Sequence, residues 1–127
     1  MTYYPVIQAG DILMRSKALG VVTHLSAAVS TNVVLHNTPE RGEHIASVEE
    51  FAAGQTVTVK RTGVNPFAVV DRARKILARP QKYHPVARNC EHTVYEVIYG
   101  VAKSPQFIFW AVVMIVVGII VYGLAKR

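Results

Sequence analysis

The stretch "FIFWAVVMIVVGIIVYGLA", Phe107 to Ala125, carries no charged or strongly polar side chain across 19 positions. A helix needs about 20 apolar residues to cross the hydrocarbon core of a bilayer. A soluble core helix would keep a polar face at helical spacing, whereas this segment is apolar all round. Trp110 and Tyr122 lie near its ends, where aromatic rings favour the interface, and Lys126 and Arg127 follow it. Residues 105–127 are therefore read as one C-terminal transmembrane anchor, the alternative being a helix buried in an oligomer. Gly118 and Gly123 form no GxxxG pair, so nothing signals helix dimerisation and the oligomeric state stays open.

Residues 1–104 suffice for one small domain with one core, and are too few for two. The opening "MTYYPVIQAGDILMRSK" lacks a basic segment followed by an apolar one, so no secretory signal peptide is expected. A single cysteine, Cys90, cannot form an internal disulfide, and a thiol survives best in a reducing compartment. That favours a cytoplasmic domain on a single-pass anchor. The net charge of +6 includes Lys126 and Arg127, and the other cations are scattered among acids. No basic run with interleaved aromatics occurs, so nucleic acid is not an expected partner.

Along the domain, "GDILMR", "GVVTHLSAAV" and "NVVLHN" cluster β-branched and aliphatic residues between turn formers and read as strands. A three-residue loop Ser30-Thr31-Asn32 suits a hairpin, with Asn32 in the left-handed position. Pairing centred on Thr31 sets His36 opposite Ser26, one diagonal step from His24 on the same sheet face. Two histidines within about 8 Å of each other then follow from the turn. "NTPERGEHIAS" gives a turn and a short strand, Ser47 to Glu50 has the form of a capping box for a brief helical turn ending near Gly54, and "TVTVKRT" alternates as a strand. "NPFAVVDRARKILARP" predicts an amphipathic helix capped by Asn65, with Phe67, Val70, Ala73 (or Arg74) and Leu77 on its packed side.

Asn89 can cap a helix that begins at Cys90, with Val94, Val97 (or Ile98) and Val101 on its apolar side and its end near Lys103. At about 1.5 Å per residue, such a helix would hold the thiol no more than about 20 Å from the bilayer. A cysteine in a first helical turn feels free N–H groups and the positive end of the helix dipole, which favour thiolate. The same N–H groups are candidates for holding an oxyanion. A thiolate nucleophile needs a base and a group that orients the base, and His24 and His36 fit those roles. The competing reading makes Cys90 a packing residue and each histidine a half-buried strand polar group. No metal site is expected, because Cys90 and His92 lie two apart on a helix and point to different faces, and no CxxC or HxxxH pair exists. His44, His84 and His92 are assigned to surface or structural hydrogen bonding.

The string "NCEHTVYEVIYGVAKSPQ" resembles the NCEHF block of the lecithin retinol acyltransferase-like family, a circularly permuted branch of the papain-like NlpC-type superfamily in which histidines precede the cysteine. "GDILMR", "VVTHLSAAV" and "NVVLHNTPERG" follow that order, and the resemblance runs from about Ala9 to Gln106. It implies an α+β fold, an antiparallel sheet packed on helices, with no cofactor. It also implies Cys90 as acyl-accepting nucleophile, His24 as general base and acid, His36 as polar orienter, and Asn89, Glu91 and His92 as cap and scaffold residues. The implied substrates are phospholipids or other acyl lipids at the membrane, cleaved by a phospholipase A-type reaction or passed on by acyl transfer. Thr93 stands where the motif has an aromatic residue, Leu25 follows His24, and the segment between the third strand and the cysteine helix is shorter. Two rival expectations are a cysteine peptidase or amidase of the same superfamily, and a non-catalytic membrane adaptor.

Overall fold

A computed structural model describes residues 6–17 and 22–127. Five strands, β1 (Ile12–Lys17), β2 (Val22–Ala28), β3 (Val33–Thr38), β4 (Gly42–Ser47) and β5 (Thr58–Lys60), form one antiparallel sheet in the order β4-β3-β2-β1-β5. Four helices accompany it: α1 (Val48–Ala52), α2 (Pro66–Ala78), α3 (Cys90–Tyr99) and α4 (Pro105–Ala125). The fold is α+β. Short loops explain the succession of hairpins from β1 to β4, since antiparallel neighbours need only tight connections.

Strand alternation divides the core between the two sheet faces. Leu25, Ala27 and Leu35 pack with Val69, Ala73 and Ile76 of α2 and Val94, Val97 and Ile98 of α3. On the other face, Leu13, Ala28, Val34 and Ala46 close over Phe51 of α1. The packed side of α2 includes Ala73 and Leu77 as expected, but it is rotated away from Phe67, which is 82% exposed, toward Val69 and Ile76, which are buried. The N-cap at Asn65 is as expected, its side chain accepting from the Phe67 N–H at 2.9 Å.

The β2–β3 register pairs Ala27 with Leu35 and Ala28 with Val34, which centres the hairpin on Thr31. Its turn is closed differently from the expectation for Asn32. No left-handed backbone is found at Asn32; instead Ser30 Oγ accepts from the N–H groups of Asn32 and Val33.

Helix α3 ends earlier than the apolar pattern suggested. Gly100 adopts φ +79° as its left-handed C-cap, so Val101 and Lys103 lie outside it and Val101 is 60% exposed. The chain then turns back, because Ser104 bonds Asn89 and Glu91 at the opposite end of α3. Four residues reach about 14 Å, which matches the roughly 15 Å length of a ten-residue helix. The apolar helix α4 consequently starts beside Cys90 rather than at the far end of α3. It is long and apolar enough to cross a membrane, and none of it is buried against the domain.

Candidate active site

Asn89 is an extended N-cap whose Oδ1 accepts from the N–H groups of Glu91 and His92 at 3.0 and 3.2 Å. The His92 ring answers, its Nδ1 accepting from the Asn89 N–H at 3.0 Å, which completes a capping box. Burial and the nearby Arg88 charge lower the pKa of His92, in keeping with an acceptor nitrogen. Cys90 therefore occupies the first helical position and is 5% exposed. The cap also corrects an expectation: the Glu91 and His92 amides, candidates for holding an oxyanion, are already engaged by Asn89.

Neighbours of both strand histidines are tied to the start of α3, Asn37 directly and Thr23 through Gln106. Asn37, next to His36, donates through Nδ2 to the Arg88 carbonyl at 2.9 Å. Thr23, next to His24, is held by Gln106 of α4: its N–H donates to Oε1 and its carbonyl accepts from Nε2, each at 2.9 Å. Continuing the β2–β3 register would set Thr23 opposite Pro39, which lies past β3 and has no N–H to donate. The Gln106 amide takes the place of that missing peptide. Glu91 closes the loop, Oε1 accepting from Ser104 Oγ at 2.8 Å and from the Gln106 N–H at 2.7 Å.

His24 and His36 meet as the hairpin register requires, with His24 Nε2 and His36 Nδ1 3.1 Å apart. Both are buried, and both rings lie within 6 Å of the Phe51 ring. The chain of imidazoles continues: His36 Nε2 is 2.9 Å from His44 Nε2, and His44 Nδ1 donates to the Gly42 carbonyl at 2.8 Å. Burial above all, then the charges of His44, Arg15 and Arg41, lower the pKa of His36 to about 4. His36 is a neutral imidazole at physiological pH.

Underneath runs a second polar network. Glu43, 4% exposed, accepts from Arg88 Nη2 at 2.7 Å and Nε at 3.1 Å, from Thr93 Oγ1 at 2.7 Å and from the Gln81 N–H at 2.7 Å. Thr93 also accepts from Asn37 Nδ2 at 3.2 Å. A buried carboxylate needs such donors, and the phenylalanine of the NCEHF motif would supply none at position 93. This accounts for the threonine in "NCEHT".

A cavity of about 190 Å³ opens at Cys90, lined also by Thr23, Tyr83, Gln106, Phe107 and Trp110. Burial, then the charge of Cys90, raises the Tyr83 pKa, so its hydroxyl keeps its proton. Among the described residues, no group of three His, Cys, Asp or Glu side chains is arranged to hold a metal ion.

The sequence assigns His44 only to surface or structural hydrogen bonding and gives Tyr83 and Gln106 no role. For His44 the signal existed: a β3–β4 hairpin centred on Glu40 sets His44 opposite His36, as the ladder does. Gln106 and Thr23 lie 83 positions apart, and no local pattern joins them. His84 does serve structure, its Nδ1 accepting from the N–H groups of Val86 and Ala87 in the loop before α3.

The sequence model of the family described as "Lecithin retinol acyltransferase" matches residues 6–103. Comparison with curated proteins finds no match.

Proposed function

Because the chain belongs to the lecithin retinol acyltransferase family, we propose that it is a membrane-anchored thiol acyltransferase or phospholipase A-type enzyme acting on glycerophospholipids. The observation that carries this reading is the cavity lined both by Cys90 and by Phe107 and Trp110 from the first turns of the apolar helix. An acyl chain leaving the bilayer along α4 would arrive at that cavity. Residues 105–127 act as the anchor and residues 1–104 as the domain it holds, on the cytoplasmic side, where a thiol stays reduced.

In the reaction, His24 takes the proton of Cys90 and the sulfur attacks the ester carbonyl. The tetrahedral intermediate collapses to a thioester as the lysolipid oxygen leaves with the proton from His24. Water or an amine then attacks the thioester, passes a proton to His24, and releases a fatty acid or an N-acyl product with the thiolate restored. With two α3 amides committed to Asn89, the Cys90 N–H and the protonated Tyr83 hydroxyl are the donors assigned to the oxyanion.

The test incubates purified full-length protein with glycerophospholipid vesicles, with and without a primary amine. Mass spectrometry should find a fatty acyl mass on Cys90 and a lysophospholipid product. Cys90→Ala should lower turnover by about a thousandfold or more. Turnover that survives this substitution, or a thiol that never acquires an acyl group, overturns the reading.

A further inference from the structure

The imidazoles of buried His24 and His36 and half-buried His44 form a chain whose polarity is set at one end by an atom that can only accept. The Gly42 carbonyl has no proton to give, so His44 Nδ1 carries the hydrogen in their 2.8 Å contact. Whenever His44 carries that one proton alone, its Nε2 offers a lone pair, and His36 donates its Nε2–H across the 2.9 Å contact. That leaves His36 Nδ1 as an acceptor, so His24 donates through Nε2 at 3.1 Å. Each step follows because a neutral imidazole has one donor and one acceptor nitrogen.

We infer that His44 is a positioning residue for the reaction, which with the Gly42 carbonyl fixes the tautomers of His36 and His24 so that His24 Nδ1 is the nitrogen that gains and loses a proton. The inference rests on the proposed role of His24 as base and adds the residue that presents it. A proton on His44 Nε2 or His36 Nδ1 would set two donors face to face, whereas one on His24 Nδ1 breaks no bond in the chain. The lowered pKa of His36, with Arg15 and Arg41 as the nearby cations, keeps the middle ring neutral. Gly42 holds its end of the chain through a backbone that only glycine suits: φ is +70°, and a Cβ there would lie 2.7 Å from the Gln81 carbonyl oxygen.

Two measurements test this. In ¹⁵N-histidine-labelled wild-type protein at neutral pH, imidazole spectra should show hydrogen on Nδ1 of His44, Nε2 of His36 and Nε2 of His24. A hydrogen on Nδ1 of neutral His36 overturns the inference, whatever the protein catalyses. In the vesicle assay, His44→Leu removes the acceptor and should lower kcat by about a hundredfold with KM unchanged, because a base in the wrong tautomer loses most of its rate. His44→Gln, whose amide can accept from His36 and donate toward Gly42, should restore kcat to within about threefold of wild type. Equal kcat in His44→Leu and wild type would also overturn it.

Discussion

At the scale of single residues, a second proton on His36 would disrupt its contacts with both His24 and His44. The folded pKa of about 4 lies below the ordinary 6.5, so between those values the unfolded chain binds more protons than the folded one. Acidification through that window therefore favours unfolding, and the stability lost by pH 4 is about 3 kcal/mol. Thermal melting in detergent should show a midpoint that falls as pH drops from 7 to 4. His36→Asn, which has no proton to gain there, should start from a lower midpoint and give a flatter slope. An unchanged slope would place the acid sensitivity elsewhere. The His24–His36 pairing was legible because one loop fixes one register. His44 follows from the same arithmetic applied to the next hairpin, which pairs it with His36.

At the scale of elements, α3 and the first turn of α4 act as a clasp on β2. Gln106 holds both backbone groups of Thr23, Glu91 holds Gln106 and Ser104, and Asn89 holds Ser104. Hydrogen bonds to a charged group contribute about 1.5–3 kcal/mol. Gln106→Ala and Glu91→Gln should each lower the vesicle reaction by about tenfold or more while co-sedimentation with vesicles stays at the wild-type level. Loss of sedimentation together with activity would mean that the contacts serve insertion alone. Helix starts were readable from Asn65 and Asn89, whose caps are local chemistry. The end of α3 was misjudged because apolar spacing continues through Val101, and only the left-handed Gly100 stops the helix. The reversal after Gly100 depends on contacts with Asn89 and Glu91, 15 and 13 positions before Ser104.

For the molecule as a whole, the C-terminal apolar helix, proposed above as the anchor, has two parts in series. Its first turns carry Gln106, Phe107 and Trp110 to the site, and the remainder through Ala125 is apolar helix exposed on all sides. Replacing residues 111–125 by an unrelated apolar helix of the same length should leave vesicle turnover within about threefold of wild type, since a bilayer selects such a segment by length and hydropathy. Moving residues 105–110 out of register by inserting two alanines after Ser104 should abolish it, because two residues turn a helix by about 200°. Equal turnover in both variants would reduce the anchor to a tether. The strands, the helices and the apolar segment could be read from period and composition and the α+β class followed from the family resemblance, whereas the meeting of thiol and apolar helix could not be read, because it is made by a chain reversal.

The clasp on Thr23 has one further consequence. A 21-residue helix measures roughly 31 Å, close to the hydrocarbon thickness of an average bilayer, so it stands upright there and leans in a thinner one. Leaning would swing the Gln106 amide like the short arm of a lever against β2. The thickness of the surrounding lipid would then be felt at His24 as a mechanical load.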